Sequence, residues 1–263
     1  MDPVIEKFPW VTPYNYAENE PVGSIDLWGL QKVSINDIRN SQGQITSRNV
    51  TVSVSLNILN VSSRDDSAIN SYKISSSSLG SRAKRSFSTS FNHRVVDGKS
   101  GRMTENEVPV NISFELSTKN NAKINSTDFV TAFVDQINGK KHTEGRSLFN
   151  DNIAIVEADQ LNSGGNAVEL ILHELGHSLG LDFSYVGGDE HTKDGKGLMG
   201  AKMNKQFGID SDVLKDLFIG LGALGSAEQE VKYFNTSTRL LDFIMSNTTK
   251  NGYDEDKAKK RGL

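Results

Sequence analysis

His173, Glu174 and His177 stand together in the run Asn166-Ala-Val-Glu-Leu-Ile-Leu-His-Glu-Leu-Gly-His-Ser-Leu-Gly180. Helical residues four apart share one face, one turn from each other, so both imidazoles can reach a single tetrahedral zinc ion. Glu174, one residue along, is angled to touch a water beside the metal without being a ligand itself. Those three side chains describe a metal-dependent hydrolase with Glu174 as general base. In a chain with five histidines, chance places H-E-x-x-H in roughly one case in a hundred or fewer, so the motif marks a candidate site. Two imidazoles are not a complete zinc site, and a third protein ligand is required.

The residues around the motif read as the helix that must carry it. Val168, Ile171, Leu172, Leu175 and Leu179 form an apolar stripe at helical spacing. Asn166 is placed to cap its start, with Glu169 three residues on as the other half of a capping-box pair. Gly180 is placed to end it in a left-handed conformation.

The longer string H-E-L-G-H-S-L-G-L, His173 to Leu181, resembles the metzincin metallopeptidases, whose pattern is H-E-x-x-H-x-x-G-x-x-H followed by a methionine turn. The resemblance implies an α+β fold in which a twisted mixed sheet packs against the active-site helix, followed by the methionine turn and C-terminal helices. At the family's third-ligand position this chain has Phe183, which cannot bind zinc. His191, ahead of Leu198-Met199, restores the spacing if about eight residues rich in glycine and acid loop out after Gly180. The resemblance therefore implies zinc on His173, His177 and His191, with Met199 as the turn methionine beneath it. Asp182 and Asp189 remain rival third ligands, and Glu228 or Glu230 weaker ones. It also implies an extended substrate paired along an edge strand, for which Ile153 to Ala158 is the candidate.

The rest of the chain supplies supporting elements. Asn49 to Val61 and Val108 to Leu116 alternate as strands with one buried face. Ile69 to Phe91 carries helical spacing (Leu79, Ala83, Phe87), with Arg82, Lys84 and Arg85 as a solvated face. Phe129 to Ile137 fits strand or helix. Asp210 to Leu224 and Ala227 to Ser246 are predicted helices, and residues 247–263 are expected to fray. His93 and His142 read as surface histidines.

Composition excludes several functions. There is no cysteine, hence no disulfide, thiolate zinc site or cysteine nucleophile. A net charge of −4 gives no field for nucleic acid or an anionic membrane. No apolar run approaches the roughly 18 residues of a membrane span. Met1 to Trp10 lacks the basic and apolar regions of a signal peptide.

Residues 1–30 differ from the remainder, carrying four of the five prolines and both tryptophans. Asp2 to Leu30, D-P-V-I-E-K-F-P-W-V-T-P-Y-N-Y-A-E-N-E-P-V-G-S-I-D-L-W-G-L, resembles the closing segment of RHS-repeat cores. In that family the shell encloses a C-terminal toxin, released by self-cleavage after a D-P-x-G motif. Asp26-Leu27-Trp28-Gly29 occupies that place, with Leu27 where the family has proline. The resemblance implies a 1–30 shell remnant before a 31–263 toxin domain, an immunity protein as partner, and secretion or delivery into a target cell on a signal outside this chain. The expected activity is zinc-dependent cleavage of target-cell proteins. A non-catalytic metal-stabilised effector or binding module, and a zinc hydrolase of a non-peptide amide, are the competing functions.

Overall fold

A computed structural model describes residues 31–67, 76–125, 128–138, 144–148, 151–161, 166–181, 191–192, 197–200, 208–209, 211–222 and 236–263. Among the described residues seven strands form one sheet: β1 (Gln31–Arg39), β2 (Ile45–Asn60), β3 (Thr89–His93), β4 (Val108–Asn120), β5 (Phe129–Val134), β6 (Gly145–Ser147) and β7 (Ile153–Glu157). Their order is β3-β4-β2-β5-β7-β6, with β1 attached to β2. The strands from β4 across to β7 are mutually parallel, and antiparallel β3 and β6 close the two ends. Strand β2 is long enough to serve two partners in succession on one side: β1 along its first part, then β5 from Leu56 to Asn60.

Alternation along β2 places Val50, Val52, Val54, Leu56 and Ile58 on one buried face. Helix α1 (Ser76–Phe87) covers that face with Leu79, Ala83 and Phe87, all fully buried at a four-residue interval. Phe87 meets Phe114 of β4 with ring centroids 5.0 Å apart. Helices α2 (Ala167–Ser178) and α3 (Ser211–Gly222) contribute to the same core through Ile171, Leu175, Val213 and Phe218.

A second core lies on the opposite face. Leu59, Val130, Ala132, Val134 and Ile155 pack there with Leu240, Phe243 and Ile244 of α4 (Thr236–Asn247) and Ala258 of α5 (Glu255–Lys260). Strand β5 is thus covered on both sides, and all six of its residues are buried. A strand buried on both faces has no polar side to alternate with, so its sequence is ambiguous between strand and helix.

Four expectations need correction. Residues 247–263 do not fray: Asp254 caps α5 by accepting from Lys257 N, Asp254 N donates to Val61 O at 2.6 Å, and Ala258 is buried. Lys257 Nζ there donates to Ser62 O at 2.8 Å, a main-chain partner far away in sequence. The capping-box pair at α2 does not form either. Asn166 sits at the N-cap without a side-chain capping bond, and Glu169 instead accepts from Arg82 of α1 at 3.3 Å. Arg82, its side chain 40% exposed, is accordingly an inter-helix contact at the margin of the solvated face that Lys84 and Arg85 keep. Finally, the Ile153 to Ala158 run is no sheet edge; β7 lies between β5 and β6, and β6 forms that end of the sheet.

Residues 1–30, His142, Asp182, Phe183, Asp189, Glu228 and Glu230 lie outside the described residues, so the boundary after Leu30 and the rival ligands have no structural account.

Candidate metal centre

Helix α2 enters the first core with its apolar stripe and is buried along nearly its whole length. That packing fixes its rotation. Packed against β6 and β7, it holds His173 at 6%, Glu174 at 4% and His177 at 7% exposure. At its end Gly180 takes φ +78°, Gly180 N donates to His177 O, and Leu181 N donates to Gly176 O. This Schellman pair is the left-handed ending expected of Gly180, and it turns the chain away directly after the second histidine.

His191 joins the pair from the loop beyond. Its ring centroid is 5.2 Å from that of His173 and 4.9 Å from that of His177, and one nitrogen from each of the three rings lies within 4.8 Å of the others. Among the described residues this is the cluster that could hold a metal ion. His173 Nε2 and His177 Nε2 are 3.1 Å apart. Two nitrogens bound to tetrahedral zinc would be separated by about 3.3 Å, given Zn–N bonds of ~2.05 Å.

The protonation state suits a ligand as well. His173 Nδ1 lies 2.7 Å from Leu198 O. A carbonyl can only accept, so Nδ1 carries the proton and Nε2 keeps a lone pair aimed at the cluster. Burial, with a smaller push from His191, lowers the His173 pKa to about 4, against the raising effect of the Leu198 bond. The ring is neutral at physiological pH. Neutral imidazoles with a fixed tautomer are what Zn2+ takes.

Met199 is 1% exposed and packs against Gly176, which lies between the two helix histidines in sequence and where any Cβ would collide with the methionine Sδ. The segment 197–199 touches both sides of the centre: Leu198 O orients His173, and Met199 O accepts from Thr192 N, next to His191, at 3.1 Å. Gly197 makes the turn at φ +75°, with the place of a Cβ only 2.7 Å from Gly208 O.

Sequence reading missed three contributors. Leu198 acts through its carbonyl, which no side-chain pattern can reveal. Gly176 is a helix-interior glycine, a placement that costs about 1 kcal/mol relative to alanine and so signals a packing need. Gly145 of β6 lies against Glu174, the sort of close approach that glycine in a strand marks. His93, at the end of β3, is not part of the cluster.

No protein-family model and no curated protein matches the chain. Among solved structures it is similar to archaemetzincin from Methanopyrus kandleri, at 12% identity and a TM-score of 0.33, covering 64% of this chain and 95% of that one. The fold is a mixed α and β arrangement around a mixed sheet, and three histidines of this chain could hold a metal ion.

Proposed function

We propose that the protein is a zinc-dependent endopeptidase in which His173, His177 and His191 hold the metal and Glu174 is the general base. The observation that carries this reading is the gathering of three imidazole nitrogens within 4.8 Å, with a buried carboxylate adjacent in sequence to one of them. A zinc ion, when bound, supplies Lewis acidity that lowers the pKa of water and stabilises charge developing on the substrate oxygen. Glu174 accepts the proton of the attacking water and returns it to the leaving amine as the peptide bond breaks. Leu198 O holds the His173 ring, and Met199 packs under the helix turn between the histidines, as a methionine turn would.

Substrate is proposed to lie extended beside β6, the antiparallel strand at the sheet end next to α2. This replaces Ile153 to Ala158 as the candidate edge. A peptide there would find main-chain partners in line with Glu174. The biological role proposed is that of a toxin acting on target-cell proteins, neutralised by an immunity protein. Its support is the likeness of Asp2 to Leu30 to the end of an RHS core.

Glu174→Ala tests the reading. The variant is expected to retain zinc, lose cleavage of unfolded casein by about 100-fold or more, and lose toxicity when expressed in a susceptible cell. Unchanged cleavage would remove Glu174 from the mechanism. Retained zinc with no casein cleavage by the unmutated protein would favour the amide hydrolase or binding-module functions.

A further inference from the structure

The backbone of β6 at Gly145 lies against the motif glutamate. A Cβ built on Gly145 would lie 2.5 Å from Glu174 Oε1, 3.1 Å from Cδ and 3.2 Å from Cγ. Real contacts to Cβ do not come so close, so position 145 admits no side chain while Glu174 keeps its place. Neither backbone can retreat freely. Strand β6 is pinned to β7 with Gly145 opposite Val156, and Glu157 N donates to Glu144 O at 2.8 Å just before it. On its other side Arg146 Nη1 donates to Asn247 Oδ1 at the end of α4, at 2.6 Å. The helix is held in turn by the core beneath Ile171 and Leu175.

We infer that Gly145 is a positioning residue: its backbone, bare of a side chain, forms the wall against which the Glu174 carboxylate is set for proton transfer. The inference rests on the endopeptidase reading for its consequence, and on geometry alone for its cause. An added methyl presses on the far end of a side chain, which can rotate away. The damage therefore falls on the carboxylate's position more than on the fold. Displacing a general base by about 1 Å can lower a rate about 100-fold.

Gly145→Ala is expected to bind zinc as the unmutated protein does and to show a kcat lowered about 100-fold, with KM nearly unchanged. In its crystals the Glu174 carboxylate should have left its original place. Adding Gly145→Ala to Glu174→Ala should change neither residual activity nor melting temperature, since no carboxylate remains to be struck. An unmoved Glu174, or a displaced one with undiminished kcat, would overturn the inference. If Gly145→Ala fails to fold, a folded Gly145→Ala/Glu174→Ala protein still assigns the collision to Glu174, and an unfolded one refutes it. If the unmutated protein cleaves nothing, the endopeptidase reading falls, while the position of Glu174 in the two crystals still decides the role of Gly145.

Discussion

His173 is where the local chemistry is most strongly constrained. Its Nδ1–H is committed to Leu198 O, and burial keeps the ring neutral with a pKa of about 4. An unfolded histidine titrates near 6.5. Between those values the unfolded chain holds a proton that the folded chain lacks, so stability rises with pH across this window and is lost on acidification through it. The metal-free protein is thus predicted to lose on the order of 3 kcal/mol from this residue between pH 7 and pH 3. Urea midpoints measured across that range should fall with pH, and the fall should be shallower in His173→Asn; equal slopes would contradict the account. At this scale the sequence was informative because H-E-x-x-H fixes three side chains by helical period alone. Leu198 O escaped it because a main-chain acceptor has no residue signature.

Elements were legible where one face is buried and the other wet. Val50 to Ile58 and Leu79 to Phe87 show their periods openly and lie in the elements expected, but the helix expected to reach Phe91 ends at Phe87, and Phe91 sits on β3. Strand β6 was not legible: three residues are too few for a period. Strand β1 was also missed, and a charge pair adds to the ladder that attaches it to β2. Arg48, fully buried on β2, donates to Asp37 of β1 from Nε at 2.7 Å and Nη2 at 3.0 Å, and its Nη2 also donates to Val96 O. Removing one partner of such a pair leaves a buried charge poorly compensated. Asp37→Ala is predicted to destabilise the protein by about 3 kcal/mol, read from chemical denaturation. A loss below about 1 kcal/mol would mean that β1 is held by its ladder to β2 alone.

On the scale of the molecule, the C-terminal residues close the second core. Thr248 pairs with Ile137, Asp135 N donates to Gly252 O at 2.7 Å, and Arg261 bonds Asp66. Lys257 and Arg261 look like part of a solvated tail in sequence because their partners are carbonyls and an aspartate nearly 200 residues away. Deleting residues 248–263 is predicted to lower the melting temperature by several degrees, since Ala258 and the caps on residues 61–66 go with them; an unchanged melting temperature would restore the frayed tail. The same packing holds α4, whose Asn247 anchors Arg146 of β6 beside Glu174. The tail therefore bears on the site's surroundings, although it supplies no ligand. The most direct test of the whole account is anomalous diffraction at the zinc edge from crystals of the metal-loaded protein. One ion bound by nitrogens of His173, His177 and His191 is the predicted result, and an ion bound through Asp182 or Asp189 in place of His191, or none on this helix, would contradict it.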